Sequence, residues 1–467
     1  MKRHASTPPA PKRSAPPARP ASAGPTASAA EALAKITPAR AAAFEILTLV
    51  AANKGHSDEL LHSPRTDALS AEDRNLATAL VMGVLRWQIA LDARIAKLLA
   101  RPDQRLAEPV ALALRMGAFQ LLHMDRIPAH AVLNESVELC RAAGHPHAAG
   151  MVNAILRKLA TAQKPGTRIF ESPAAFAERL AHPRWLVERW VATYGRETAL
   201  AICEYDQREP HSGSLFPVPP ADPAQPPPTA ARPSHSAPQM DDGSRLVAEL
   251  AASALPVTAG TPRIWDCCAA PGGKTLMLAL RIPAADIFAT DVSSKRLAHT
   301  AARLRRYAYA SRVRTEVADA SAPQAPEAEP DFDLILCDVP CTGTGTLARN
   351  PEIRHHLRAE ELARQSARQR EILAGAARRL APAGRLIYST CSLEPEENER
   401  VVDAVASLAG LRRVAIEPLI ANLTSTGILT PQANAALVPS AVRDGALRTL
   451  PGVHPCDGFF AAVLERN

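Results

Sequence analysis

The spacing of apolar residues changes its period once along the chain. Up to residue 160 it is helical. In TPARAAAFEILTLVA (37–51), Phe44, Leu47 and Val50 recur at helical spacing behind Thr37, a candidate N-cap, and Pro38 at the first helical position. SAEDRNLATALVMGVLRWQIALDARIAKLLA (70–100) opens on a Ser70 and Asp73 cap pattern and carries a long apolar stripe, which 110–128, 130–144 and 147–160 continue. This pattern predicts an all-α bundle. Such stripes are core far more often than binding surface, so the pattern alone says nothing of function. Residues 182–205 still read as helix, whereas PHSGSLFPVPPADPAQPPPTAARPSHSAP (210–238) has neither period and reads as linker or loop.

From about residue 240 the pattern alternates between strand and helix. Strand-like runs stand at PRIWDCC, DIFATD, RVRTEVAD, FDLILCD and GRLIYSTC, and helical patterns at 274–281, 293–306, 359–380 and 395–408. Alternation over this length predicts a parallel sheet covered on both faces, with ligands at the carboxyl ends of its strands. FDLILCD ends in Asp338 and delivers Cys341 into a turn; fifty residues later GRLIYST delivers Cys391 in the same way. Both thiols are therefore expected at one crevice.

Composition adds a polyanionic partner as an option and excludes little else. The chain has 467 residues, 47% of them hydrophobic, and a net charge of +7. No apolar run approaches the length of a membrane-spanning helix, so a soluble, cytoplasmic protein without membrane contact is expected. The eight cysteines follow no disulfide framework and read as reduced thiols. The first thirty residues contain no acid and no apolar stretch of a secretory signal. With their many prolines, they make 1–36 a disordered basic arm rather than a transit peptide.

DCCAAPGGKT (266–275) follows the first strand and opens a helix, so its backbone N–H groups can approach a ligand closely. It is no phosphate-binding P-loop, because that motif needs glycine where Cys268 stands, and the dinucleotide fingerprint is also absent. The second, third and fourth strands end at Asp291, Asp319 and Asp338. Three carboxylates at strand ends suit an adenosine-bearing ligand with few phosphates, S-adenosylmethionine more than a dinucleotide. Taken singly, each is also an ordinary turn or cap acid.

Two thiols suit one particular reaction. Cysteine is a strong nucleophile as its thiolate. A pyrimidine C5 becomes nucleophilic only after a thiolate adds to C6, and a second group can then assist elimination. Blander readings compete: Cys341 can pack as a small hydrophobe. Cys337 and Cys341 have a metal-like spacing, but no second Cys/His pair accompanies them, so no metal is expected. Cys140, Cys203, Cys267, Cys337 and Cys456 read as structural. TLARNPEIRHHLR (346–358) and RLRRYAYASRVR (303–314) put Arg and His beside the crevice and favour a phosphate-backbone partner.

DCCAAPGGKT, DVPCTGTG, RNPEIR, YSTCSLEPEENE and the terminal DGFFAAVLE together resemble the NOL1/NOP2/Sun RNA cytosine-5 methyltransferases. Residues 37–160 more loosely resemble the NusB-like RNA-binding domain of the Sun (Fmu) type, which acts on small-subunit ribosomal RNA. The resemblance implies an all-α NusB-like domain over 37–165, a helical connector and proline-rich linker over 166–239, and an α/β Rossmann-like S-adenosylmethionine-dependent methyltransferase domain over 240–467. It implies that Cys268, Ala269, Ala270, Pro271, Gly272, Gly273 and Lys274 line the cofactor site. Asp291 would hold the ribose, Asp319 would lie by the adenine, and Asp338 beside the methionine end and the target base. The family pattern makes Cys391 the nucleophile and gives Cys341 a part in product release, a choice that the chemistry of the residues leaves open. Two departures stand out. PCTGTG replaces the commoner PCSGTG, and the proline-rich tract occupies the place of a small α/β element ahead of QMDDGSRLVAEL (239–250). The alternatives are a non-catalytic RNA-binding or ribosome assembly factor, and a methyltransferase acting on an exocyclic amino group. The retained thiol pair argues against both.

Overall fold

The computed structural model describes residues 27–161, 172–210, 215–217, 236–258, 260–322 and 331–467. The first helix runs over Ala27–Leu33, so the last ten residues of the arm expected over 1–36 are not a disordered tail; Ala32 and Ile36 are buried. Residues 1–26 lie outside the described residues. Helices Pro38–Ala51, Ala71–Ala96, Glu108–His123, Ala129–Ala142 and Ala149–Ala160 surround one core that includes Ile46, Leu47, Leu80, Val84, Leu114 and Leu156. Ser70 caps its helix as expected, accepting the Asp73 amide at 3.0 Å. Thr37 occupies the N-cap position, but its hydroxyl instead donates to Glu135 at 2.8 Å, and the buried Arg40 bonds both Glu135 (2.8 Å) and Gln120 (2.7 Å). Helix Ala71–Ala96 has 26 residues and a mean hydropathy reaching 1.3, long and apolar enough to cross a membrane, contrary to the sequence reading. Its Ala77, Leu80, Val81, Val84 and Leu91 are, however, committed to the bundle core.

Helices Pro173–Arg179, Arg184–Tyr194 and Arg196–Tyr205 are more than a connector. They build a second core around Phe176, Leu186, Trp190 and Ile202, which also takes in Leu347, Leu357 and Leu393 from the loops of the C-terminal half. Within the stretch expected to be linker, Leu215 and Phe216 are buried: the Leu215 amide donates to Asp242 (3.3 Å), and Arg245 lies 3.9 Å above the Phe216 ring. The proline-rich remainder, 218–235, lies outside the described residues.

The sheet comprises β1 (Arg263–Asp266), β2 (Asp286–Asp291), β3 (Val313–Val317), β4 (Phe332–Asp338), β5 (Leu380–Thr390), β6 (Leu411–Val414), β7 (Val442–Arg443), β8 (Ala446–Arg448) and β9 (Phe460–Arg466). Its order is β3-β2-β1-β4-β5-β9-β8-β7, with β6 also on β9. The five expected strands are parallel to one another, but β9 runs antiparallel to β5, β6 and β8, so the sheet is mixed rather than wholly parallel. Successive residues bury opposite faces: Ile264, Leu334, Leu336 and Ile387 on one, Trp265, Ile335, Leu386 and Tyr388 on the other. That double burial is why these strands read as unbroken apolar runs.

Candidate active site

The carboxyl ends of β1, β2, β4 and β5 and the segment after β3 open onto a cavity of about 180 Å³. Cys267, Cys268 and Ala270 line it after β1, Asp291 and Val292 at β2, Ala318, Asp319 and Ala320 after β3, and Asp338 to Cys341 after β4. Cys391 enters it after β5, and Arg368 and Ile372 come from the Ala359–Arg378 helix. Asp291 is almost fully buried, and both its hydrogen bonds among the described residues fall on Oδ1, from the Ser293 amide and Arg296, each at 2.8 Å. Oδ2 takes no side-chain hydrogen bond among the described residues. Asp319 is arranged likewise, with Oδ1 taking the Ser321 amide (3.0 Å) and hydroxyl (2.7 Å). Carboxylate oxygens over apolar walls of Val292, Ala320 and Ile372 fit the ribose and adenine of an adenosyl cofactor.

Lys274 stands elsewhere. With Ala269, Pro271 and Gly273 it lines a neighbouring cavity of about 390 Å³, which shares Cys268, Ala270 and Asp338 with the first and includes Asp58 from the helical bundle, Asp241, Arg303 and Asn350. Lys274 Nζ donates to Asp338 Oδ2 at 2.6 Å, and Ser389 donates to Oδ1 at 2.7 Å. Burial alone would lower the pKa of this lysine, but the Asp338 carboxylate outweighs it and raises it. Gly272 lines neither cavity. It turns the chain at φ +91°, with its amide on the Ala269 carbonyl at 2.6 Å, and a Cβ there would meet Thr300 at 2.9 Å. Beneath the turn, burial pushes the Asp266 carboxyl up to about 7 against the hydroxyl of Thr275, which it accepts at 2.6 Å.

The two thiols meet: Cys341 Sγ and Cys391 Sγ are 3.3 Å apart and both are half-buried. The loops that carry them are fastened to each other. Gly345 N–H donates to the Cys391 carbonyl (2.9 Å), and Gly458 N–H to the Gly345 carbonyl (2.7 Å). A Cβ on Gly345 would fall 2.2 Å from the Gly458 carbonyl oxygen, so GTG and DGFF close on each other only as glycines. Buried Glu397 accepts from Thr342 N–H, from the Thr342 and Ser392 hydroxyls and from Gln369. The hydrogen bond to Cys391 raises the pKa of the Cys341 thiol, as do burial and the negative charges of Cys391 and Glu397. The five cysteines expected to be structural are all buried, Cys267 and Cys337 with their sulfurs 3.3 Å apart. Among the described residues no group of three or more potential metal ligands is found.

Of the charges that 346–358 was expected to offer a phosphate backbone, those of Arg349, Arg354 and His355 are engaged within the protein, whereas His356 and Arg358 are exposed. Arg349 pairs with Asp457 at 2.6 Å, and buried Glu352 takes the amide and hydroxyl of Ser57 from the helical bundle. Arg354 donates to the carbonyls of Arg86 (3.2 Å), Ala181 (3.1 Å) and Leu347 (3.3 Å), while Arg86 returns a bond to the Ala348 carbonyl at 2.9 Å. His355 bonds the Leu85 carbonyl at 2.7 Å, and burial pushes its pKa down to about 3. On the other flank Arg303 is tied to the Pro271 and Gln239 carbonyls, whereas Arg305 and Arg306 are exposed. Sequence reasoning missed Glu397, Gln369, Thr342, Ser392 and Asn350. Only the alignment of Thr342 and Ser392, one residue after each thiol, hinted at a shared partner.

Residues 255–465 match the 16S rRNA methyltransferase RsmB/F family, and 37–161 match the NusB family. The chain is 33% identical to ribosomal RNA small subunit methyltransferase B of Xanthomonas campestris pv. campestris, over 93% of this chain and 99% of that protein. It is 32% identical to the protein of the same name from Citrobacter koseri, over 89% of this chain and 96% of that one. The crystal structure of PH0851 shares the fold, with a TM-score of 0.68 at 21% identity, covering 92% of this chain and 99% of that one. The chain therefore belongs to the ribosomal RNA small subunit methyltransferase B (Sun) family of S-adenosylmethionine-dependent RNA methyltransferases.

Proposed function

We propose that the protein methylates C5 of a cytosine in small-subunit ribosomal RNA, in the cytoplasm, through a covalent bond between Cys391 and C6 of the base. The observation that carries this reading is the pair of thiols 3.3 Å apart on the wall of the cofactor cavity. The Cys391 thiolate pair forms a bond to C6, and the electrons of the C5–C6 double bond shift to C5. S-adenosylmethionine supplies the methyl group that C5 then takes. Loss of the C5 proton to a base re-forms the C5–C6 double bond and returns the electron pair to the Cys391 sulfur. The Cys341 S–H, held on that sulfur, stabilises the departing thiolate. Lys274 and Ser389 fix Asp338 beside both cavities, where it serves the methionine end and the target base. Residues 37–165 are assigned to RNA binding and 240–467 to methyl transfer, with 166–239 joining them.

Trapping tests this reading. Wild-type protein, S-adenosylmethionine and RNA containing 5-fluorocytidine are expected to give a denaturation-resistant adduct, because fluorine blocks the final elimination. The adduct should persist in Cys341→Ser and vanish in Cys391→Ala. An adduct lost with Cys341 instead would reverse the roles, and RNA binding without any adduct would favour an assembly factor. For the cofactor, Asp291→Asn is expected to raise KM for S-adenosylmethionine about 10- to 100-fold with a smaller change in kcat, measured at saturating RNA. An unchanged KM would remove Asp291 from the ribose.

A further inference from the structure

Glu397 sits in a run of acids, EPEENE, that reads as a solvated surface. It is instead wholly buried, and no salt bridge reaches it among the described residues. Its neighbour Glu394 is neutralised by Arg189 at 2.9 Å and bonded by the Trp190 indole at 3.0 Å, so the difference is specific to Glu397. Four neutral donors hold the carboxylate. Oε1 takes the Thr342 amide at 2.9 Å and Gln369 at 3.0 Å; Oε2 takes the Ser392 hydroxyl at 2.5 Å and the Thr342 hydroxyl. Gln369 also bonds the Pro340 carbonyl at 2.9 Å, so the residues on both sides of Cys341 are held. Asn398 holds the other loop, taking the Thr390 hydroxyl at 2.5 Å and bonding the Ser392 carbonyl at 2.8 Å. A buried carboxylate without a cation is costly, and a purely mechanical clasp between two hydroxyl-bearing loops does not need a charge.

We propose that Glu397 is a positioning residue of the reaction: by tying Thr342 to Ser392 it holds the Cys341 S–H on the Cys391 sulfur, and so governs release of the methylated base rather than attack on it. This rests on the roles given to Cys391 and Cys341 above. Attack needs Cys391 alone, whose position also depends on β5, on Gly345 and on Asn398. Release needs the second thiol beside the first, protonated, when the electron pair returns to Cys391. The Glu397 charge is one of the causes that keep Cys341 in its thiol form, after the hydrogen bond to Cys391, burial and the charge of Cys391.

The test uses Glu397→Gln, which keeps an acceptor for the Thr342 amide while two rotatable hydroxyls can turn to accept from the new NH₂. With ordinary cytidine RNA, this variant is expected to form adduct in single turnover within about threefold of the wild-type rate, but under multiple turnover to hold about tenfold more of it at steady state. In a Cys391→Ala background, the pH profile for alkylation of Cys341 by iodoacetamide should move to lower pH when Glu397→Gln is added. A merely structural residue would not move that profile. A Glu397→Gln protein that melts like wild type, shows the wild-type adduct fraction and leaves the alkylation profile in place would overturn the proposal. If Glu397→Gln does not fold, Ser392→Ala, which cuts one arm of the tie, takes its place: extra adduct supports the proposal and a wild-type adduct fraction overturns it. Failure of wild-type protein to trap on 5-fluorocytidine RNA would instead sink the roles of the two thiols, which separates the two failures.

Discussion

Replacing Cys391 by alanine is expected to lower methyl transfer by roughly 10⁴-fold or more, whereas Cys341→Ser should leave adduct formation intact and stall the enzyme as an RNA conjugate. The asymmetry follows from the surroundings of the two sulfurs. Cys391 directly follows β5, whose Ser389 and Tyr388 are locked by Asp338 and by the Glu397 carbonyl, so its sulfur has a fixed line of approach to a ligand in the cavity. Cys341 is raised in pKa by its hydrogen bond to Cys391, by burial and by the charges of Cys391 and Glu397, which keeps it a donor. With Cys391 as the proposed nucleophile its loss removes the covalent route, because the neighbouring Cys341 is held in its thiol form. A serine at 341 has a shorter bond from Cβ, so its hydroxyl falls short of the Cys391 sulfur, and it is far less acidic than a thiol, so it yields a proton to the departing thiolate less readily. Gel analysis of denatured enzyme mixed with unmodified RNA distinguishes the two variants: a slow-migrating conjugate from Cys341→Ser and none from Cys391→Ala. Conjugate from neither, with turnover of both at the wild-type level, would exclude the covalent route.

The parallel half of the sheet was legible in the sequence because β1, β2, β4 and β5 are buried on both faces, and because these strands and the exposed edge strand β3 run into polar residues at their carboxyl ends. Asp291, Asp319, Asp338, Cys341 and Cys391 could be grouped from strand ends alone, and the structure places all five on one cavity. The antiparallel half was not legible. β7 and β8 have two and three residues, too few to show a period, and β9 is an apolar run whose pairing with β5 is a long-range contact. Lys274 lines the neighbouring cavity rather than the one that Asp291 and Cys391 line, because proximity in sequence to Cys268 says nothing of which side of the turn a side chain takes. The basic residues of 346–358 divide in a way that only tertiary packing decides: Arg349, Arg354 and His355 are engaged within the protein, while His356 and Arg358 are exposed.

Arg354 is therefore expected to matter for stability and for coupling. It is 2% exposed and reaches one carbonyl in the bundle, one before the Arg184–Tyr194 helix and one in the Cys341 loop segment, while its charge faces buried Asp206. Arg354→Met fills similar volume but strands three carbonyls and removes a counter-charge, a loss of about 3–5 kcal/mol by analogy with broken buried ion pairs. Lysine should restore only part of it, since one ammonium cannot fork to three acceptors. The pH dependence identifies the cause. Burial raises the Asp206 pKa from 3.8 to about 7, opposed by Arg354 and then Arg86. A raised carboxyl pKa stabilises the fold fully below about pH 4, and this contribution is lost as pH rises to about 7, because the folded state keeps a proton that the unfolded chain has released. Without Arg354 the folded pKa climbs further, so the loss continues to higher pH and the deficit of Arg354→Met is greater at pH 8 than at pH 6. Urea titrations at the two pH values measure this directly. An equal deficit at both would mean that the three carbonyls, not Asp206, are what Arg354 serves. A single unfolding transition splitting into two would add that this one guanidinium makes the helical bundle and the catalytic sheet unfold together.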